Sequence, residues 1–200
     1  MALEIVQAGA PVLRQRARRL TLAEIQSREI RKLIDEMRET MRSAPGVGLA
    51  APQVARPVQI AVIEDRKEYL KDATPEHLAE RERRPLPFHV LVNPQISAGG
   101  DQRVEFFEGC LSVAGFTAVV NRAYRVRVDC LDHRGKSRQI EATGWYARIL
   151  QHEIDHLNGT LYVDRMRIRT FCTVDNFSRH WKTMRVTDAV AAAGETASPV

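Results

Sequence analysis

The stretch QHEIDHLNG, at positions 151–159, constrains this chain more than any other. It places histidines at positions 152 and 156, with a glutamate directly after the first. On an α-helix, residues four apart lie one turn apart on the same face, so the imidazoles of His152 and His156 can bind one metal ion. The stretch therefore predicts a helix over residues 145–157 that carries a metal site. Two histidines hold a divalent metal poorly, and a third protein ligand is required.

Downstream of this motif, few side chains can supply the third ligand. No glutamate occurs at positions 154–194, and Tyr162 stands where some zinc peptidases have a third histidine. Asp164, in GTLYVD, remains as a weaker candidate. The residues alone therefore leave open a zinc-dependent peptidase that uses His152, His156 and Asp164.

Upstream, the stretch EGCLS at positions 108–112 offers the thiol of Cys110. One thiolate and two imidazoles form a tetrahedral site with one open position, which is the layout of a catalytic metal. The competing interpretation is a small buried cysteine that only packs, and for Cys110 taken alone it is the commoner one.

A third stretch, GVGLAAPQ at positions 46–53, combines two glycines and small residues with an amide. The glycines let the backbone pass close to another group, and the side chain of Gln53 offers N–H donors. By itself this stretch is weak, because a glycine turn after a helix is commoner than a substrate site.

Together, GVGLAAPQ, EGCLS and QHEIDHLNG, in this order and spacing, resemble the three motifs of the peptide deformylase family, over about residues 3–165. The segments VAGF and GWYARILQHE are similar to the mitochondrial-type branch of that bacterial and organellar family. The resemblance implies an α+β fold, in which mixed and antiparallel strands wrap around a central HExxH helix, with an N-terminal helix. It also implies a metal-dependent hydrolase that removes the formyl group from the N-terminal formylmethionine of nascent polypeptides and releases formate.

The resemblance also implies which residues bind the metal and which group moves protons. Cys110, His152 and His156 are the implied ligands of one divalent ion, which is Fe(II) in most members and Zn(II) in some. A thiolate with two imidazoles also suits Ni(II) and Co(II). Glu153 is the implied general base, and then the general acid, of hydrolysis.

Other motif residues are implied to bind the substrate. The side-chain amide of Gln53 and the backbone N–H of Leu111 would stabilise the negative charge that develops on the formyl oxygen. Backbone groups near the cluster would hold the peptide as an added β-strand, and these belong to Val47, Gly48 and Gly109. The pocket for the methionine side chain should be apolar and should involve the helix residues before His152, namely Trp145, Arg148 and Ile149.

The chain departs from many bacterial members of the family just after EGCLSV. Ala114 and Thr117 stand where those members have a proline and an arginine. The resemblance therefore does not supply that arginine's contact with the substrate backbone. Arg122 is available to pair with Glu108, and we predict that this pair supports the loop of Cys110.

Local patterns predict the remaining elements. Thr21 and Glu24 form a capping-box pattern before a helix over about residues 22–43. Strands are predicted over 59–64, 89–93, 104–107, 126–131 and 138–142, with a hairpin turn at 132–135. The charged segment 65–87 is interpreted as a surface insertion without chemistry of its own, with a short helix opening at Thr74. One catalytic domain over 1–186 and a disordered tail over 187–200 complete the prediction.

Composition narrows the compartment and the partners. The net charge is +5, but the basic residues are spread along the chain without a stacking-aromatic motif, so we favour an ordinary basic surface over an RNA-binding module. Three cysteines without a CxxC pair favour a reducing compartment. With no secretory signal pattern and no membrane-length apolar run, the expected location is the bacterial cytoplasm, ahead of an organelle. The expected partners are formylmethionyl nascent peptides and, as a further candidate, the ribosome; monomer and homodimer both stay open.

Overall fold

A computed structural model describes residues 2–44, 46–71 and 73–195 of the chain. The helices are α1 (Leu22–Ile25), α2 (Arg28–Ser43), α3 (Pro75–Glu80), α4 (Gly144–Leu157), α5 (Val174–Asn176) and α6 (Val186–Ala192). The strands are β1 (Gly48–Ala50), β2 (Ile60–Asp65), β3 (Leu86–Ala98), β4 (Arg103–Cys110), β5 (Val113–Ala123), β6 (Arg125–Leu131), β7 (Ser137–Thr143) and β8 (Cys172–Thr173). Within these residues, no helix is long and apolar enough to cross a membrane.

The strands form two sheets. The larger has the order β1-β2-β3-β6-β7, and the smaller has the order β4-β5-β8. Neighbouring strands in both sheets pair antiparallel. The fold class is therefore α+β with antiparallel sheets, as predicted. In this arrangement β1 and β4 are both edge strands. Strand β1 lies within the motif GVGLAAPQ, and β4 ends in the motif EGCLS.

Helix α4 packs against β1, β2, β3, β6 and β7 of the larger sheet and against β5 of the smaller one. Its core-facing residues recur three or four positions apart, which places them on one face, and they are Ala147, Leu150, Ile154 and Leu157. His152 and His156 lie on the opposite face by the same helical geometry. The apolar face thus anchors the helix and fixes the direction in which both imidazoles point.

The N-terminal helix differs from its prediction because it is two helices. The capping box of Thr21 and Glu24 is present and begins α1. Ser27 then begins a second helix, since its Oγ accepts from the backbone N–H of Ile30 at 3.2 Å. The buried residues of α2 pack over β2 and β3, and they include Leu33, Met37 and Met41.

Two other parts of the chain differ from the prediction. The strand β5 was not predicted, and the alternation of small and apolar residues in VAGFTAVVNRA does not stand out as a strand pattern. The predicted tail over 187–200 begins instead as α6, because Ala189 and Val190 are small enough to pack against Phe107 and Val119. Residues 196–200 of that predicted tail lie outside the described residues.

Candidate metal centre

The three predicted ligands meet in one cluster. The Sγ of Cys110 and one ring nitrogen each of His152 and His156 lie within 4.8 Å of one another. The Sγ of Cys110 is 3.3 Å from Nε2 of His156. The centroids of the two imidazole rings are 5.0 Å apart.

Two elements bring these ligands together. Helix α4 supplies both histidines, and Cys110 is the last residue of β4, where the pairing with β5 shifts by a bulge after Gly109. The turn that follows directs the backbone N–H of Ser112 at the Sγ of Cys110, at 3.4 Å. This hydrogen bond helps to hold the side chain of Cys110 toward the two histidines.

Glu108 orients the first histidine. Its Oε2 is 3.0 Å from Nδ1 of His152. Arg122 donates two hydrogen bonds to this carboxylate, at 3.0 and 2.9 Å, and Arg148 donates a third at 2.5 Å. The predicted pair of Glu108 and Arg122 is therefore present. Because Nδ1 of His152 is engaged by the carboxylate, Nε2 is the nitrogen left for a metal.

The charges around the cluster favour a cation. Burial opposes a charge on His152, but hydrogen bonds to Cys110 and Glu108 raise its pKa well above the ordinary value. Burial raises the pKa of Glu108, but hydrogen bonds from His152 and Arg122 outweigh it and hold that pKa well below the ordinary range. The negative charge of Glu108 that draws a proton onto this imidazole also favours a metal ion beside it.

His156 presents the form of imidazole that binds metals. Burial lowers its pKa well below the ordinary value, so its ring is neutral. Its Nδ1 is buried without a hydrogen-bond partner in the described structure, while Nε2 faces Cys110. With the sulfur of Cys110 and the ring of His152, this neutral imidazole completes a donor set that fits a divalent ion of borderline softness.

Glu153 lies in the same cavity as the ligands, and its side chain is almost fully buried. Its Oε2 has no hydrogen-bond partner within the described residues. Burial raises the pKa of this carboxyl to about 7. A carboxyl that titrates near neutral pH can both accept and deliver a proton.

The side chain of Gln53 is oriented toward the cluster by the backbone of Ala50. Its side-chain oxygen accepts from the N–H of Ala50 at 2.8 Å. The side-chain nitrogen therefore faces the cluster, where it lies 3.2 Å from Oγ of Ser112 and 3.5 Å from Sγ of Cys110. The predicted amide donor is thus placed beside the predicted ligand.

A cavity of about 520 Å³ opens onto the cluster. Apart from the buried His156, every residue predicted for the site lines it: Val47, Gly48, Gln53, Gly109, Cys110, Leu111, Trp145, Arg148, Ile149, His152 and Glu153. Residues from the three sequence motifs, which lie far apart in the chain, therefore line the same cavity.

The helix residues before His152 divide into two kinds. Trp145 and Ile149 give the cavity an apolar wall. Arg148 differs from a pocket residue, because its guanidinium donates to Glu108 and to the carbonyls of Val120 and Val104 at 3.0 and 2.7 Å. Burial lowers its pKa to about 10. Its charged end supports Glu108, and the residue also lines the cavity, as predicted; a contact with the substrate stays a prediction.

Some residues at the site were not anticipated. Arg83 lies in the segment interpreted as having no chemistry, yet it lines the cavity and stands 5.1 Å from the ring of Trp145. Its guanidinium donates to Asp65 at 2.8 and 3.0 Å.

Gln7 is the second residue at the site that was not anticipated. Its side chain contacts the loop after Cys110, donating to the carbonyl of Leu111 at 3.0 Å and accepting from the N–H of Ala114 at 3.2 Å. Neither residue stands in a motif, so no sequence signal marks them.

Asp164 lies outside the cluster. Its carboxylate accepts from Arg14 and, at 2.7 Å, from the backbone N–H of Leu161. The ligand set of the alternative peptidase is therefore not assembled in this fold.

Comparisons with known proteins agree with the geometry. The family model described as polypeptide deformylase matches residues 2–170. The chain is 51% identical over 173 residues to peptide deformylase 1A, chloroplastic, of Solanum lycopersicum, and 46% identical over 193 residues to peptide deformylase 3 of Streptomyces avermitilis. It resembles the Met-Ala-Ser-bound crystal structure of class I type b peptide deformylase from Acinetobacter baumannii, with a TM-score of 0.73 and 32% identity.

The coverage of these matches differs. The tomato match covers 86% of this chain and 62% of the relative, so the chain spans less than two thirds of that relative's length. The Streptomyces match covers 96% of this chain and 84% of the relative. The Acinetobacter match covers 83% of this chain and 99% of the other.

Proposed function

The chain belongs to the polypeptide deformylase family, and from that premise we propose that it hydrolyses the formyl group of N-terminal formylmethionine in new polypeptides, releasing formate. The observation that carries the proposal is the grouping of Cys110, His152 and His156 beside Glu153 in one cavity. We take residues 1–186 as one catalytic domain, with the strands wrapped around α4.

Cys110, His152 and His156 would hold one divalent metal ion, and we favour Fe(II), with Zn(II), Ni(II) or Co(II) as substitutes. When bound, such an ion supplies a Lewis acid that polarises a carbonyl oxygen and makes water easier to ionise. Glu108 keeps His152 in the tautomer that leaves Nε2 for the ion.

Glu153 is the group that moves protons. Its carboxylate accepts a proton from the water that attacks the formyl carbon, and the carboxylic acid then delivers a proton to the leaving amine nitrogen. The free Oε2 and the pKa of about 7 support both steps.

The side-chain N–H of Gln53 and the backbone N–H of Leu111 would donate to the oxygen of the former formyl group as negative charge develops on it. Gln53 is held in advance by Ala50 and Ser112, so little reorganisation accompanies the reaction. Losing one such donor typically costs about 3 kcal/mol of transition-state stabilisation.

The peptide would bind as an extra strand between the edges of the two sheets. The carbonyl of Val47 already accepts a hydrogen bond from the N–H of Glu64 within the larger sheet, at 3.0 Å. Since backbone groups alternate along an antiparallel strand, Gly48 presents its N–H and C=O to the free edge. Gly109 lies on β4, the edge strand of the smaller sheet. Main-chain recognition of this kind reads no sequence, which suits an enzyme that accepts many different nascent chains.

The test is release of formate from formyl-Met-Ala-Ser by protein prepared without oxygen and loaded with Fe(II) or Ni(II). The matched control is Glu153→Ala, which should keep the metal and turn over about 10²–10⁴ times more slowly. Absence of formate release by the fully metal-loaded protein would refute the proposal. Cleavage of internal peptide bonds would favour the peptidase instead.

The remaining expectations about the cell also stay proposals. Relatives include bacterial and chloroplastic proteins, and we favour the bacterial cytoplasm on the sequence pattern alone. The ribosome is a candidate partner because the substrate emerges from it. Monomer and homodimer are to be distinguished in solution.

A further inference from the structure

The segment between β2 and β3 packs against the first turn of α4. The backbone N–H of Trp145 donates to the carbonyl of Arg81 at 2.8 Å, and the hydroxyl of Thr143 donates to Glu82 at 2.9 Å. Gly144 makes this close approach possible, because an added Cβ would stand 2.8 Å from the Cβ of Glu82 and 2.9 Å from the carbonyl oxygen of Arg81. The segment therefore fixes the backbone of Trp145, whose side chain lines the cavity.

The ring of Trp145 is not oriented by a hydrogen bond of its own. Its Nε1 is buried and has no hydrogen-bond partner within the described residues, whereas a buried indole N–H usually finds one. Two guanidinium groups lie against the ring instead, at 5.3 Å from its centroid for Arg81 and 5.1 Å for Arg83. An aromatic face attracts cations at such distances. The orientation of the ring therefore depends on where these two side chains are held.

Arg83 is held by a buried carboxylate. Its Nε and Nη2 donate to the two carboxylate oxygens of Asp65, at 2.8 and 3.0 Å. The side chain of Asp65 is fully buried, and that of Arg83 is largely buried. A bidentate pair of this kind fixes both the position and the plane of the guanidinium. Asp65 is the last residue of β2, so the pair ties the ring of Trp145 to the larger sheet.

Arg83 and Trp145 both line the cavity, but on the side away from the reacting atoms. Trp145 lies about two turns before His152 on α4, which is about 10 Å along the helix axis. Helical side chains also point toward the N-terminus of their helix, which carries the ring further from the metal centre. Arg83 therefore has no direct part in the proton transfers of Glu153.

We propose that Arg83, fixed by Asp65, is a positioning residue that sets the orientation of the Trp145 ring and thereby the shape of one cavity wall. This inference rests on the proposed function and adds a positioning residue to it. A ring that is free to rotate presents a less complementary wall to an apolar side chain. Loss of the pair should therefore raise KM for a methionyl peptide and leave its kcat nearly unchanged.

The test uses the double variant Asp65→Asn, Arg83→Gln, which removes both charges together and leaves no buried ion without a partner. The first measurement is tryptophan fluorescence in a Trp181→Phe background, where Trp145 is the remaining tryptophan of the chain. In the double variant the emission should shift to longer wavelength and acrylamide should quench it more strongly. Neither signal requires enzyme activity.

The second measurement is the ratio of kcat/KM for formyl-Met-Ala-Ser to that for formyl-Ala-Ala-Ser. This ratio should fall about fivefold in the double variant, the factor expected from losing one cation–π contact. Should the double variant not fold, Arg83→Lys serves instead, because it leaves a counter-ion for Asp65 but lacks the planar fork. Its emission and its ratio should change in the same directions.

Arg84→Gln is the matched control, because Arg84 is exposed in the same segment and does not line the cavity. It should keep the wild-type emission and the wild-type ratio. An unchanged emission of Trp145 in the double variant would overturn the proposal. An equal loss of kcat/KM for both peptides would also overturn it, since that is the result of a general structural role. Failure of the proposed function is distinct from these outcomes, because the wild type would then release no formate from formyl-Met-Ala-Ser.

Discussion

The carboxylate of Glu108 lies 3.0 Å from Nδ1 of His152 and is held there by Arg122 and Arg148. This places a buried acid, two buried cations and a predicted metal ligand in one continuous network. Asp155 extends it, because Arg122 also donates to Asp155, which accepts from Arg165 at 2.7 and 2.8 Å. The network links the end of α4 to β4, and so to the strand that carries Cys110.

Glu108→Gln should weaken metal binding about 10- to 100-fold, because the histidine loses the partner that fixes its tautomer. It should also destabilise the fold by about 3–5 kcal/mol, since two buried arginines lose their shared counter-ion. The control is Glu105→Gln on the same strand, where the carboxylate pairs with Arg167 away from the cluster. Metal titration and denaturant unfolding of both variants measure the two effects. Unchanged metal affinity in Glu108→Gln would remove the orienting role.

Cys110→Ala should bind metal more than about 100-fold more weakly than the wild type, because two imidazoles alone remain. The other two thiols provide controls within the same chain. Cys130 is buried in the core, Cys172 packs against the apolar cluster of Phe107 and Val119, and neither belongs to the candidate metal centre. Cys130→Ala and Cys172→Ala should therefore keep a full metal ion per chain. Elemental analysis after dialysis measures the metal content of each variant. A full metal ion per chain in Cys110→Ala would refute the assignment of Cys110 as a ligand.

Gly48→Ala should disable the enzyme without removing its metal. A Cβ added at Gly48 would stand 2.2 Å from Oε1 of Glu153, so the carboxylate would have to move. The turnover should fall about 100-fold, toward the effect of losing the general base. Gly109→Ala is the comparison, because its added Cβ meets nothing closer than 3.6 Å and leaves Glu153 in place. Steady-state kinetics and metal analysis of both variants measure this. Native turnover in Gly48→Ala would contradict the packing argument.

The three motifs allowed most of the site to be predicted from the sequence, because each ligand and donor stands within a few residues of a recognisable pattern. The cysteine, the histidines and Glu153 do converge in the fold. The spacing on the helix alone specified that both imidazoles share a face. What brings Cys110 to them is the bulge at the end of β4, and no local pattern in the sequence encodes that meeting.

The sequence predicted less well where a residue acts through partners that are distant in the chain. Arg148 has the spacing of a pocket residue, yet its partners are Glu108 and the carbonyls of Val104 and Val120, which only tertiary structure supplies. Arg83 was interpreted as part of a charged surface, but a buried Asp65 turns it toward Trp145. Helix periodicity likewise missed the break before α2, because a single serine cap decides it.

Glu64 should make stability depend on pH through its pair with Arg42. Two hydrogen bonds of 2.7 Å from Arg42 lower the pKa of Glu64. Because the folded-state pKa lies below the unfolded one, the stabilisation is fully present above about pH 4.3 and is lost as the pH falls through the folded value. Glu64→Gln should lose up to about 1 kcal/mol at pH 7 and almost nothing in strong acid. Denaturant unfolding at pH 7 and below pH 4 measures this, and a constant difference would contradict it.

The last prediction concerns the first side chain of the substrate. Trp145 and Ile149 line the cavity beside Glu153 and should form an apolar pocket for methionine. Norleucine keeps the volume and apolarity of methionine, so it should change kcat/KM by less than about threefold. Alanine gives up about 2 kcal/mol of apolar burial, so it should cost about 30-fold. Ile149→Ala should reduce the difference between methionine and alanine, because part of the pocket wall is gone. A matched series of formylated tripeptides tests this, with unformylated peptides as the control. Equal kcat/KM for alanine and methionine, or cleavage of the unformylated series, would assign the cavity to a different substrate.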